Sequence, residues 1–133
     1  MMSEVTNMTE CKTGPSIVID FSNNLIRIHK KTIINLGSPK NILLIVNPEK
    51  MAICVAACSE GLKGSHKIIL NEKHCYELYS KSLIDTIKAV FDCWQDNKSY
   101  RISGIYACNM RIAKFIVTDS VPITSYETVK YNV

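Results

Sequence analysis

Apolar positions along the chain fall in short runs cut by Asn, Gly and Pro, the spacing of strands and brief helices. The run SIVIDF (16–21) opens the pattern, and its β-branched Ile17, Val18 and Ile19 predict a first strand. Ser22, Asn23 and Asn24 follow as a turn, because Asn tolerates positive φ. LIRIH (25–29) predicts a second strand, with Leu25, Arg27 and His29 on one side and Ile26 and Ile28 on the other. The period then changes. KKTIINLG (30–37) reads as a short helix that gathers Ile33, Ile34 and Leu36, with Gly37 as its stop and Ser38-Pro39 behind it.

NILLIV (41–46) predicts a third strand, and its continuous apolar run fits burial on both faces. NPEK turns the chain, and MAICVAAC (51–58) returns as a fourth strand. SEGLKGS is a loop, HKIIL (66–70) a short strand, and NEKHCYELY (71–79) a polar stretch without a clear period. The strongest helix signal covers about 80–94: Ser80 or Ser82 caps it, and Leu83, Ile84, Ile87, Val90, Phe91 and Trp94 form one stripe. YRISGIYA and RIAKFIVTD predict two last strands. Residues 1–15 and 122–133 read as polar tails around a single domain at 16–121.

The two halves match. LIRIHKKTIINLG sets against CYELYSKSLIDTIKAVF, so that Ile28 answers Leu78, Ile33 answers Leu83 and Ile34 answers Ile84. Each stretch leads into two strands joined by a short turn. One β-α-β-β unit cannot bury its own apolar strands, but two can close on each other. The expected fold is therefore α+β: a small, mostly antiparallel barrel from two β-α-β-β pseudo-repeats (16–60 and 66–120), with helices at about 30–36 and 80–94.

Composition changes little in this picture. The chain is 47% hydrophobic and 21% charged, ordinary for a globular protein, and its formal net charge of +4 is a mild excess. The first residues lack an apolar stretch of signal-peptide type, and no run approaches membrane-spanning length, so a cytoplasmic location without membrane contact is expected. Six cysteines without a CxxC pair then read as reduced thiols. Cys54 and Cys58 with His66, His74 or Cys75 do not reproduce a common zinc spacing, so no metal is expected. No phosphate-binding, nucleophile-elbow or HExxH motif occurs, and His74 beside Cys75 would point to opposite faces of a strand. A non-enzymatic protein without a cofactor is the expectation.

Residues 17–57 resemble the AbrB/MraZ/SpoVT-like swapped-hairpin domain family. Residues 24–29, NLIRIH, stand where that family carries its "GRV-(V/I)-IP" motif, Leu36-Gly37 stands at its helix-ending "LG", and ILLIVNPEKMAIC matches its strand-turn-strand. The resemblance implies a barrel completed by a second copy and DNA binding through arginines on loops and helix. Here the family's arginine falls on Leu25, its basic helix positions on Ile33 and Ile34, and its proline on His29.

Two readings follow. The first is a small DNA-binding transcription regulator of AbrB-like ancestry that contacts duplex DNA phosphates through Arg27, His29, Lys30, Lys31 and Lys40. Lys81, Lys88, Lys98, Arg101 and Lys114 could supply a symmetric second patch, and Tyr76, Tyr79, Tyr100 and Tyr106 could stack on bases. The alternative is a protein-interaction or inhibitor module of a phage or mobile element that has lost DNA binding and docks through Ile33 and Ile34. Either reading allows a monomer or a homodimer.

Overall fold

The expected alternation of strands and short helices forms. The computed structural model describes residues 14–70, 75–107 and 111–123. Strands β1 (Ser16–Asp20) and β2 (Leu25–His29) lead into helix α1 (Lys30–Asn35). The hairpin β3 (Asn41–Asn47) and β4 (Ala52–Cys58) follows, then the short β5 (His66–Lys67) and β6 (Ile69–Leu70). Strand β7 (Cys75–Tyr79) runs into helix α2 (Lys81–Val90), and β8 (Ser99–Ala107), β9 (Ile112–Ile116), a 3-10 turn (Val117–Asp119) and β10 (Val121–Ile123) complete the order.

Local chemistry explains the joints. Asn24 takes φ 51° in the β1–β2 turn, where the Asp20 carboxylate accepts from the Asn23 backbone N–H at 3.2 Å and its side-chain amide at 2.8 Å. His29 caps α1, its Nδ1 accepting from the Lys31 N–H at 3.1 Å. Gly37 ends that helix at φ 96°, a left-handed position that glycine adopts without steric cost. Ser80 caps α2 by accepting from the Leu83 N–H at 3.2 Å.

The strands lie in the order β5-β3-β4-β9-β8-β1-β2-β7-β6, with β10 also on β8, and every pairing is antiparallel. Strands β5 and β6 are one segment bent at buried Ile68, whose N–H donates to the Lys40 carbonyl at 3.2 Å. One arm pairs with β3 and the other with β7, which draws the two ends of the sheet together. The result is a small, nearly closed, mostly antiparallel barrel with two helices. Strand β8 serves three neighbours: Ser99–Ser103 pair with β1, Ser99–Arg101 also pair with β10, and Gly104–Ala107 pair with β9. At the changeover, a Cβ on Gly104 would collide with the Lys114 carbonyl and lie 2.7 Å from Phe115 Cδ1.

The barrel interior is apolar. Ile17, Ile19, Ile26, Ile28, Ile42, Ile53, Ile102 and Phe115 are all sealed from solvent. Burying each such side chain contributes about 2 kcal/mol of transfer free energy. Helix α1 adds Ile33 to this core, Leu36 just past its end adds another side chain, and α2 adds Ile84 and Ile87. A tilted aromatic group of Phe21, Phe91, Trp94 and Tyr100 closes one region, with ring centroids 5.3–6.0 Å apart.

Several expectations need correction. Helix α2 stops at Val90, and Phe91 is extended, so Trp94 lies beyond the helix and enters the core from a turn. Strand β3 is not buried on both faces: Ile45 is 45% exposed. The polar stretch before α2 contains strand β7, which β2 selects by pairing along its whole length. Described structure reaches past the expected domain bounds of 16 and 121. Pro15 is buried and accepts from the Gly104 N–H, and Val121–Ile123 pair with β8. The paired helix positions differ in burial: Ile33 and Ile84 are buried, whereas Ile34 is exposed and Leu83 half-buried.

Candidate binding surfaces

The proposed basic cluster divides on inspection of its geometry. Arg27 sits on the outer side of β2, opposite Glu77 of β7. Its Nε donates to Glu77 Oε2 at 3.2 Å, and its guanidinium lies 4.0 Å from Asp20. Two carboxylates therefore already answer this charge. His29 is exposed at the end of β2, but one ring nitrogen is committed to capping α1. Lys31 and Lys40 are exposed and Lys30 is half-buried, and none of the three forms an ion pair among the described residues.

His29 and Lys31 also line a hollow of about 280 Å³ with Gly14, Ser16 and Thr32. Thr32 is buried there, its hydroxyl accepting from the Ser16 N–H at 3.2 Å, which ties α1 to the start of β1.

Two lysines of the second basic patch are already paired. Lys81 pairs with Asp85 at 2.9 Å and Lys88 with Asp96 at 2.7 Å, while Arg101 lies on β8 opposite Val18 and Lys114 lies on β9. The tyrosines are similarly committed. Tyr100 is buried and accepts from the Gln95 N–H, Tyr106 accepts from the Asn35 amide at 3.1 Å, and Tyr79 donates to Glu77. Tyr76 is half-buried on β7. Ile33, expected on a docking face, is fully buried under α1, because this side of the helix packs on the barrel; Ile34 alone of the pair faces outward. His74, Cys11 and Cys108 lie outside the described residues.

A different surface emerges from the strand register. Ile45, Cys54, Lys114 and Ile105 are successive cross-strand partners on β3, β4, β9 and β8. Directly opposed residues share one face of a sheet. The neighbouring positions Ile53, Val55, Ala113 and Phe115 are wholly buried, so this row lies on the outside. Ile45 and Ile105 are 45% and 66% exposed. The next row of the same face holds Leu43, Ala56, Ile112 and Ala107. These two rows of the outer face are therefore apolar, with one lysine and one cysteine thiol among them. Sequence reading missed this face because both alternating sets of NILLIV are apolar. The alternation of Ile112, Lys114 and Ile116 was its one visible trace.

Among the described residues no helix is long and apolar enough to cross a membrane, and no three His, Cys, Asp or Glu side chains gather as a metal site. Comparison with protein-family models, with curated proteins and with solved structures finds no match to this chain.

Proposed function

We propose that the chain is a non-enzymatic binding module made of two related halves, and that it docks a protein partner on the outer face of β3, β4, β9 and β8. Duplication is supported by the way the halves meet. Strand β2 pairs with β7 and β4 with β9, each strand finding its counterpart in the other half. Met51 and Arg111 begin the returning arms of the two hairpins, and both have left-handed backbones, φ 49° and 54°. Each carbonyl accepts from the other half: the Val117 N–H donates to Met51 at 2.8 Å and the Ala57 N–H to Arg111 at 3.2 Å. This exchange of hairpins suits AbrB-like ancestry, with both copies in one chain.

The observation that carries the docking reading is the exposed apolar row from Ile45 to Ile105. Apolar surface concentrated on one outer sheet face gains free energy when a partner covers it. A second reading, phosphate contact with duplex DNA, is favoured by the ammonium groups of Lys30, Lys31 and Lys40, which have no ion-pair partner among the described residues. It is the weaker of the two because Arg27 is already held by Glu77 and Asp20.

One paired experiment separates them. Random short peptides are selected on the full chain, and random duplex DNA is titrated at two salt concentrations. Docking on the sheet predicts peptides that lose binding to Ile45→Ser/Ile105→Ser and tolerate Lys30→Ala/Lys31→Ala. DNA affinity that falls steeply with salt and drops in the lysine variant, with no peptides dependent on the isoleucines, would replace the first reading by the second.

A further inference from the structure

Resting on that docking reading, we infer that the partner presents a carboxylate set between apolar side chains, and that Lys114 receives it. Lys114 lies within the apolar row, between Cys54 on β4 and Ile105 on β8. Its side chain is half-buried, yet its ammonium group has no ion-pair partner among the described residues. A lysine in such a setting lays its carbon stem along apolar surface and keeps its charge at the water boundary. A partner that covered the face with apolar groups alone would strip water from that charge and give nothing back. A carboxylate at this point converts the penalty into a charge-assisted hydrogen bond.

The row also sets the spacing. Adjacent strands lie about 4.8 Å apart, so Lys114 is one strand from Ile105 and two from Ile45. The partner's acidic group therefore falls between two apolar contacts and nearer the one that meets Ile105. Leu43 and Ile112 in the next row widen the apolar floor on the same face. A second copy of this chain is a poor occupant. Stacked face to face about the middle of the row, two copies would bring one Lys114 toward the other with no anion between them, and like charges across an interface are repulsive.

The peptide selection described above tests this when repeated on Lys114→Glu and Lys114→Met, with the unfolding midpoint of each variant checked against the parent chain. Peptides that need Ile45 and Ile105 should be enriched in Asp or Glu. They should bind Lys114→Met about ten-fold more weakly, and Lys114→Glu should select Lys or Arg instead. Peptides that need the two isoleucines but show no acidic preference overturn the role of Lys114 and leave the docking face standing. Failure to obtain any isoleucine-dependent peptide overturns both. Self-association of the chain that is abolished by Ile45→Ser/Ile105→Ser would name the second copy as occupant and overturn the inference.

Discussion

The pairs β2–β7 and β4–β9 both join the first part of the chain to the last, and they treat charge in opposite ways. In β2–β7, Arg27 stands opposite Glu77, and Asp20 from β1 adds a second carboxylate. In β4–β9, Lys114 stands opposite Cys54, with isoleucines on the flanking strands. The first seam is electrostatically complete within the molecule. The second leaves a cation facing outward among apolar side chains. The lesson concerns where to look for partners: a charge already answered internally stabilises the fold, while a charge left without an answer on an apolar face asks for one from outside.

Three substitutions bear on this contrast. The largest effect is expected beside the second seam, where β8 crosses onto β9. Gly104→Val places a Cβ against the Lys114 carbonyl and Phe115, with no flexible side-chain end on the carbonyl side to give way. It should lower stability by about 3 kcal/mol, read from urea unfolding. A wild-type midpoint would show that the β8–β9 crossing is looser than described. Next comes Glu77→Lys, which puts a like charge opposite Arg27 in a half-buried pair. A loss of about 1–2 kcal/mol is expected, shrinking as salt is raised. An unchanged midpoint would mean that Asp20 alone satisfies Arg27. The smallest effect belongs to Lys114→Met, which should shift stability by no more than about 0.5 kcal/mol, since no ion pair among the described residues is lost. A marked destabilisation would reveal an internal role for Lys114 and erase the difference between the seams.

Much of the barrel was legible in the sequence, and the reasons are local. Asn24, Gly37, Ser80 and the β-branched runs each signal a turn, a stop, a cap or a strand through chemistry confined to a few residues. Strand β7 was harder, because CYELY has too few apolar positions to announce itself; it is a strand because β2 offers it a full ladder. Trp94 misled for a related reason. Its spacing continues the helical stripe, but the aromatic packing with Phe21 and Tyr100 is reached from a turn. The basic cluster could be listed from sequence but not judged. Nothing near Arg27 in sequence indicates that Glu77 lies opposite it, fifty positions along the chain. The apolar outer row left little trace in the sequence for the same reason: its four strands meet only through their register.

Arg111 gives this interdependence a direction in time. Its Nε donates to the Leu36 carbonyl at 2.9 Å, and its guanidinium lies over Gly37, where a Cβ would fall 2.6 Å from it. A cation at that end of α1 also suits the helix dipole. During synthesis, residue 36 leaves the ribosome well before residue 111. The first helix therefore waits for its final clasp until most of the protein has been made, and β3 and β4 wait with it for β9. Loop closures of this length are slow relative to local helix and hairpin formation. A nascent chain halted between the two hairpins would hold its apolar strands uncovered, so a barrel whose early strands pair with its late ones depends on being finished.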